Sequence, residues 1–233
     1  AGKFDRRKEI MTLFFRNCKV LPMTAAAGEP NCFDGYVGVE GRRIALVTAD
    51  AAAAEACRAA HAGAREIDLG GAYLMPGLVN AHVHLCGTGK PMSAGGAGDL
   101  IDKVVGNPVG MWALRRMIRG HAQAQLASGV TTVRTVGGIA DFDTRCRDDS
   151  AAGKVLAPRI LAANEGISVP GGHMAGSVAV AAHNNAEALA QLKKASEQKV
   201  DLVKLMITGG VLDAAEKGTP GEMKMPPEMI KAV

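Results

Sequence analysis

Two histidines stand one residue apart in an otherwise apolar stretch, residues 74–85, which reads LMPGLVNAHVHL. Imidazole is a poor filler for a hydrophobic strand, so the pair needs a chemical explanation. Successive side chains of a strand point to opposite faces, which places His82 and His84 on one face and Val83 on the other. Two neutral imidazoles on one face can bind one transition metal. A hydrogen-bonded structural pair explains these two residues, taken alone, equally well.

A lysine lies within a second apolar strand pattern, DLVKLMIT at residues 201–208. An ammonium group inside such a strand is costly unless it is paired or neutralised. Taken alone, Lys204 is best explained by a side chain that reaches solvent at the strand end. If it shares a site with His82 and His84, burial would lower its pKa and leave a nucleophilic amine. Such an amine can react with carbon dioxide, and the resulting carbamate can bridge two metals as a carboxylate would.

These residues need a regular scaffold, and from residue 76 onward strand-like and helix-like segments alternate. Strands are predicted at GLVNAHVHL, VTTVRTVGG and VDLVKLMITGG, and PRILAANEGISV is predicted to be a third strand with its loop. Helices are predicted at PVGMWALRRMIRGHAQAQLASG, at DFDTRCRDDSAAGKV with Asp141 as cap, at NNAEALAQLKKASEQK and from PPEMIKAV onward. Four βα units favour a parallel sheet, either doubly wound or part of a (β/α)8 barrel. Both architectures gather functional groups at the C-terminal ends of the strands.

The composition excludes several classes of function. The 233 residues carry a net charge of +4 and only 3% aromatic residues, and the basic residues are dispersed, so nucleic-acid binding is not expected. Five cysteines without CxxC spacing indicate free thiols in a reducing compartment. No apolar run approaches the roughly 18 residues of a membrane span, and the apolar part of the N-terminus is too short for a signal peptide. We therefore expect a cytoplasmic protein that does not bind membranes.

The segments PGLVNAHVHL, GVTTVRTVGG, GGH and VDLVKLMITGG, in this order, resemble the amidohydrolase superfamily in its imidazolonepropionase-like and prolidase-like branch. The resemblance implies a metal-dependent hydrolase of amide bonds in cyclic amides, N-acyl amino acids or dipeptides. It implies an α/β fold, with a partial (β/α)8 barrel of about four βα units at residues 76–233 after the N-terminal part of a small β-sandwich-like domain at residues 11–75. Lactonase or phosphotriesterase chemistry is the alternative, because fold and metals do not fix the substrate.

The resemblance also implies roles for individual residues. His82 and His84 match ligands of a divalent metal, commonly zinc, with one or two ions bound. Lys204 matches a carbamylated lysine that bridges two metals. His173, in SVPGGHMAG, matches a loop that faces the substrate, and a solvated loop histidine is its plainer interpretation. Many relatives have aspartate where Thr135 stands, which leaves any role of that aspartate open in this chain.

The predicted barrel region is shorter than the roughly 200 residues of the smallest closed barrels. The resemblance places two further histidines and an aspartate general base beyond Val233. We expect the N-terminal part of a longer enzyme, with a companion polypeptide or a self-pairing homo-oligomer as the alternatives. The expected partner is a small-molecule or dipeptide substrate. Two residues near the predicted site receive no catalytic role, since His121 is expected on a helix surface or in packing and Cys86 is expected to be a buried neutral thiol.

Overall fold

The computed structural model describes residues 13–24, 31–61, 63–87, 104–210 and 221–233. The chain divides into two compact units, Ala1–Pro76 and Gly77–Val233. Within the described ranges, no helix combines the length and the hydropathy that a bilayer span requires. All five cysteines lie in these ranges and are free thiols.

The first unit is built on one five-stranded sheet. Strand β1 lies inside it, antiparallel to β2 and parallel to β4 and β5, and β3 extends the sheet beyond β2. The elements are β1 Leu13–Val20, β2 Phe33–Glu40, β3 Arg43–Thr48, α1 Ala51–Ala60, β4 Arg65–Asp68 and β5 Tyr73–Leu74. The Ala-rich excursion is thus helix α1, which the Asp50 carboxylate caps by accepting from two backbone N–H groups. The described residues of this unit form one sheet and one helix, and the sandwich-like domain stays a prediction.

The second unit alternates parallel strands with helices. Its elements are β6 Leu78–Val83, α2 Pro108–Ala127, β7 Val130–Thr135, α3 Phe142–Ala151, β8 Arg159–Leu161, β9 Gly166–Ser168, β10 Ala179–Ala181, α4 Asn185–Glu197 and α5 Pro227–Ala232. Strands β6, β7 and β8 form one parallel sheet in that order, and β9 pairs in parallel with β10. The mixed α/β class is as the sequence predicts.

Two predicted strands differ from the structure. The segment predicted as the third strand and its loop contains two short strands, β8 and β9, which are separate because Asn164 between them adopts φ +54°, a value that an extended strand does not allow. The predicted fourth strand, at residues 200–210, makes one parallel bridge to β9, between Leu205 and Ile167, and one antiparallel bridge between Thr208 and Met223. A short partner strand limits its pairing, since β9 has only three residues.

Helix boundaries follow local signals more closely. Helix α2 buries Leu114, Ile118 and Ala122, which are four residues apart and share one face, and it ends before Gly129 at φ +90°. Helix α3 is shorter than predicted and ends at Ala151. Asp141 occupies its N-cap position, but the carboxylate makes no capping bond and instead accepts from Arg145 Nε at 2.7 Å.

Candidate functional site

The histidine pair lies where β6 ends. His82 is in the strand and is exposed, whereas His84 comes one residue after Val83, the last residue of the strand, and is half-buried. Their ring centroids are 5.6 Å apart with an interplanar angle of 70°. The rings therefore lie side by side at the C-terminal end of a parallel strand, where functional groups of α/β folds collect.

Strand β6 carries an irregularity immediately before this point. Asn80 pairs with Val133 of β7, but the next pair joins Val83 to Thr135, so β6 has one more residue than β7 over this stretch. Such a bulge leaves a carbonyl outside the ladder, and Arg134 Nε donates to the Ala81 carbonyl at 2.8 Å. The bulge means that strict alternation of faces does not by itself explain why the two rings are neighbours.

A backbone carbonyl determines which ring nitrogen of a neutral His84 carries the proton. Its Nδ1 lies 2.8 Å from the carbonyl oxygen of Gly137, which can only accept, so the proton is on Nδ1 and the lone pair of the neutral ring is on Nε2. Metal-binding histidines in proteins are held by this kind of bond. Gly137 has φ +131°, and a Cβ there would meet His84 Cε1, Met206 Cε and Val178 Cγ2 at 3.2 Å each. Glycine at this position gives the imidazole its room.

Lys204 approaches the same place from the segment beside β9. Its carbonyl accepts from Ile167 N–H at 2.8 Å, and its side chain lies over Gly166, where a Cβ would be 3.4 Å from Lys204 Cγ. Desolvation by the surrounding protein lowers the pKa of His82, and the charges of Lys204, His84, Arg134 and His173 lower it further, in that order. These groups are therefore within electrostatic reach of the His82 ring.

His173 lies in the loop that follows β9 and is half-buried. Its backbone is held on both sides, because its N–H donates to the Thr208 carbonyl at 3.3 Å and its carbonyl accepts from Ser168 Oγ at 3.0 Å. The loop thus connects β9 to the segment that carries Lys204. The structure brings the four predicted site residues into one region, and their roles as ligands and substrate contact stay predictions.

The sequence profile of the amidohydrolase family matches residues 73–233, which is more than half of the chain. The chain belongs to the amidohydrolase family. No curated protein matches it at a significant level.

Solved structures with this fold match nearly the whole chain. An ochratoxinase from A. niger has a TM-score of 0.71 at 16% identity and is covered to 52%, with 96% of this chain aligned. A Xaa-Pro dipeptidase with bound methionine in its active site has a TM-score of 0.65 at 22% identity, and the alignment covers 95% of this chain and 52% of the dipeptidase. A Bifidobacterium longum protein assigned as a prolidase has a TM-score of 0.64 at 25% identity, and the alignment covers 96% of this chain and 46% of that protein. This amidohydrolase chain spans about half the length of these structures.

A buried carboxylate lies near the site of this amidohydrolase chain, and the sequence reasoning missed it. Asp143, in the first turn of α3, is 1% exposed, and its Oδ2 would be 2.6 Å from a Cβ on Gly138. Burial raises the pKa of Asp143 to about 6, and proximity to Thr135 and to the Asn164 backbone offsets part of that rise. Even so, neither oxygen has a hydrogen bond of normal geometry within the described residues. An aspartate at the start of a helix gives no sequence signal of such burial.

Thr135 and His121 both support the ends of the site strands. Thr135 is fully buried and its hydroxyl accepts from Ala163 N–H at 2.9 Å, which joins β7 to the end of β8. His121 of α2 donates from Nδ1 to the Leu85 carbonyl at 2.7 Å, one residue after His84. His121 is therefore a half-buried support of the histidine strand. The helical sequence pattern shows only that it belongs to α2.

The donor set fits a divalent metal in part. His82 and His84 offer neutral imidazoles, and a lysine could add an oxygen donor only as a carbamate. Among the described residues, no group of three or more histidine, cysteine, aspartate or glutamate side chains could hold a metal ion. Two imidazoles alone leave a tetrahedral site half filled. A complete centre therefore needs Lys204 in modified form or ligands from outside the described residues.

Proposed function

We propose that this chain carries the first ligands of a metal-dependent amide hydrolase. His82 and His84 would bind a divalent metal, with zinc the expected ion. Lys204, as a carbamate, would bridge a second one. The observation that carries the proposal is the bond from His84 Nδ1 to the Gly137 carbonyl, since it leaves Nε2 as the free donor beside the His82 ring. Membership of the amidohydrolase family supports the reaction class.

The expected substrates are cyclic amides, N-acyl amino acids or dipeptides. A bound metal would lower the pKa of its water toward about 7 and polarise the scissile carbonyl. The chain's own residues would supply orientation and charge. His173 would contact the substrate, as an oxyanion donor or as the partner of a carboxylate, from a loop whose backbone is fixed by Ser168 and Thr208. The general base would come from outside the described residues.

Metal binding tests the ligand assignment without relying on activity. Titration of the metal-free chain with Co²⁺ or Zn²⁺ should show one saturable site, which His84→Ala and His82→Ala each abolish. His183→Ala is the matched control, because His183 is exposed and its hydrogen bond to Glu187 uses the backbone N–H, which alanine keeps. Full metal occupancy in His84→Ala would contradict the proposal.

The carbamate has a separate test. The neutral Lys204 amine would add to carbon dioxide and release one proton, which leaves a carboxylate on nitrogen. With ¹³C-bicarbonate and zinc, the chain should show a carbamate NMR signal that Lys204→Ala loses. Lys204→Glu places a permanent carboxylate on a shorter side chain and should bind metal independently of bicarbonate. A carbamate signal that persists in Lys204→Ala would refute the assignment to this residue.

A second candidate is a catalytically incomplete half-barrel that needs a further polypeptide. The lack of a three-residue metal cluster in the described part of the chain favours it. Native mass and metal content of the isolated chain distinguish the two. Tight stoichiometric metal in a monomer supports a sufficient ligand set within the chain, whereas weak metal that tightens when a companion segment is added supports the half-barrel.

A further inference from the structure

A basic cleft lies in the second unit, between helix α2 and the segment that follows α3. It has a volume of about 620 Å³. Helix α2 contributes Trp112, Arg115, Arg116 and Arg119 to its lining, and the other side contributes Lys154 and Leu156. Each of the four helix residues lies three or four positions from two of the others, so together they form one face of α2. Neither the histidine site nor Lys204 takes part in this cleft.

The cleft has more positive charge than its surroundings neutralise. Its lining contains four cationic side chains and no carboxylate. Behind it, the buried Asp149 carboxylate accepts from Arg115 at 2.9 Å and from Arg119, and lies 3.8 Å from Lys154 Nζ. The Arg119 hydrogen bond holds the pKa of Asp149 below its usual value, so this carboxylate stays ionised and balances one of the four charges. Arg116 has no ion pair among the described residues.

Unused hydrogen-bond donors accompany this charge. A guanidinium has five N–H donors, and the described contacts of Arg115 and Arg119 use one terminal nitrogen each, both directed at Asp149. The shared carboxylate fixes both side chains in place before any ligand arrives, which reduces the entropy that binding would cost. Arginine forks arranged in this way suit phosphate oxygens, which they bind in a bidentate manner.

The apolar part of the cleft is equally distinct. Trp112 is the only tryptophan of the chain, and it is 64% exposed. Leu156, on the opposite side, is 78% exposed. A simple anion site needs neither group, but an exposed indole offers a flat face on which a planar ring can stack. The volume also lies within the range of about 300–1,000 Å³ that small-molecule sites occupy.

We propose that this cleft binds a phosphorylated ligand with a planar ring, of the nucleotide class. The phosphate oxygens accept hydrogen bonds from Arg116, Arg119 and Lys154, and the ring lies against the indole of Trp112. Charge and ring are both required. The phosphate group supplies most of the attraction, and the indole gives preference for a ring-bearing ligand over a bare polyphosphate.

The single tryptophan makes the test direct, because its fluorescence reports this cleft alone. The chain is titrated with ATP, inorganic triphosphate and adenosine, without divalent metal, so that the phosphates cannot bind through a metal at His82 and His84. We expect saturable quenching by ATP, weaker binding of triphosphate and still weaker binding of adenosine. Calorimetry on Trp112→Ala, which has no aromatic ring, should give closely similar affinities for ATP and triphosphate.

Charge removal supplies the matched comparison. Arg116→Gln and Lys154→Gln should each weaken ATP binding about tenfold, the lower end for hydrogen bonds to charged groups, because the cleft is open to solvent. Lys193→Gln removes the same charge from a side chain that is 79% exposed on α4 and should leave the affinity unchanged. Circular dichroism melting checks that each variant is folded.

Three outcomes would overturn the proposal. The first is the absence of saturable ATP binding at low salt by both methods. The second is an equal loss of affinity in Arg116→Gln and Lys193→Gln, which would indicate a nonspecific effect of net charge. The third is a poly-glutamate peptide that binds more tightly than ATP, which would make this face a docking surface for an acidic protein.

Discussion

Replacement of Gly137 by alanine should damage both the fold and the candidate metal site. The residue has φ +131°, and a Cβ would lie 3.2 Å from His84 Cε1, Met206 Cε and Val178 Cγ2. It also supplies the carbonyl that accepts from His84 Nδ1 at 2.8 Å. One added methyl group therefore disturbs the backbone conformation, the packing of two buried side chains and the orientation of the imidazole.

The size of the effect follows from these contacts. A non-glycine residue in a sparsely populated backbone region costs about 1–3 kcal/mol, and forcing a methyl group into a packed site costs about 1–3 kcal/mol. A single backbone shift relieves part of both, so we expect a total loss of about 2–4 kcal/mol in the free energy of unfolding. Because the ring must also move, metal affinity should fall about 10- to 100-fold, as for other residues that orient metal ligands.

Urea unfolding followed by circular dichroism, together with a metal titration, measures both effects. Gly120→Ala is the matched control, since Gly120 lies inside α2 and a Cβ there meets nothing within 4 Å. That variant should gain up to about 1 kcal/mol from helix propensity. If Gly137→Ala were as stable as Gly120→Ala and bound metal as the unaltered chain does, the role assigned to this glycine would be wrong.

Three further predictions concern the interior around the site. Burial raises the pKa of Asp143 from 3.8 to about 6, so the folded state holds this proton more tightly than the unfolded state does. The free energy of unfolding should therefore rise by about 3 kcal/mol as the pH falls from above 6 to below 4. Asp143→Asn should remove this pH dependence from the urea midpoints, and an unchanged profile would refute the prediction. Asn164→Ala should lose about 2–4 kcal/mol in the same assay, because three hydrogen bonds to Thr144 and Gln198 disappear and alanine tolerates φ +54° poorly. His121→Phe leaves the Leu85 carbonyl without its 2.7 Å partner and should weaken metal binding in a chelator competition, and equal affinities would show that this bond does not position the site.

The sequence predicts the alternation of strands and helices in the second unit because those signals are local. The apolar face of α2 repeats every four residues, and Gly129 ends the helix through a backbone conformation that glycine readily adopts. The HxH pattern likewise marks a strand end, since imidazoles are unusual within an apolar run. These features depend on residues a few positions apart, which a sequence displays directly.

The features that the sequence does not reveal depend on distant partners. Asn164 interrupts the segment predicted as the third strand and its loop because its side-chain amide donates hydrogen bonds to Thr144 and Gln198, which are 20 and 34 positions away. Asp143 can be buried because Gly138, in the loop after β7, has no side chain and leaves space for the carboxylate. The segment at residues 200–210 has the composition of a strand, but regular pairing requires a neighbour of matching length, and β9 is too short.

The extra residue in β6 has a consequence for how the chain tolerates changes in length. The pairing register with β7 shifts between Asn80 and Val83, and Arg134 Nε donates a hydrogen bond to the unpaired Ala81 carbonyl. Deletion of Ala81 would restore an even ladder, but it would remove the carbonyl that Arg134 binds and shift His82 and His84 together relative to Asn80. Point substitutions at 81 can therefore be mild because they keep this carbonyl, whereas a single-codon deletion there turns both imidazoles relative to the first half of β6, so an alignment gap between 78 and 84 marks a protein whose site is built differently.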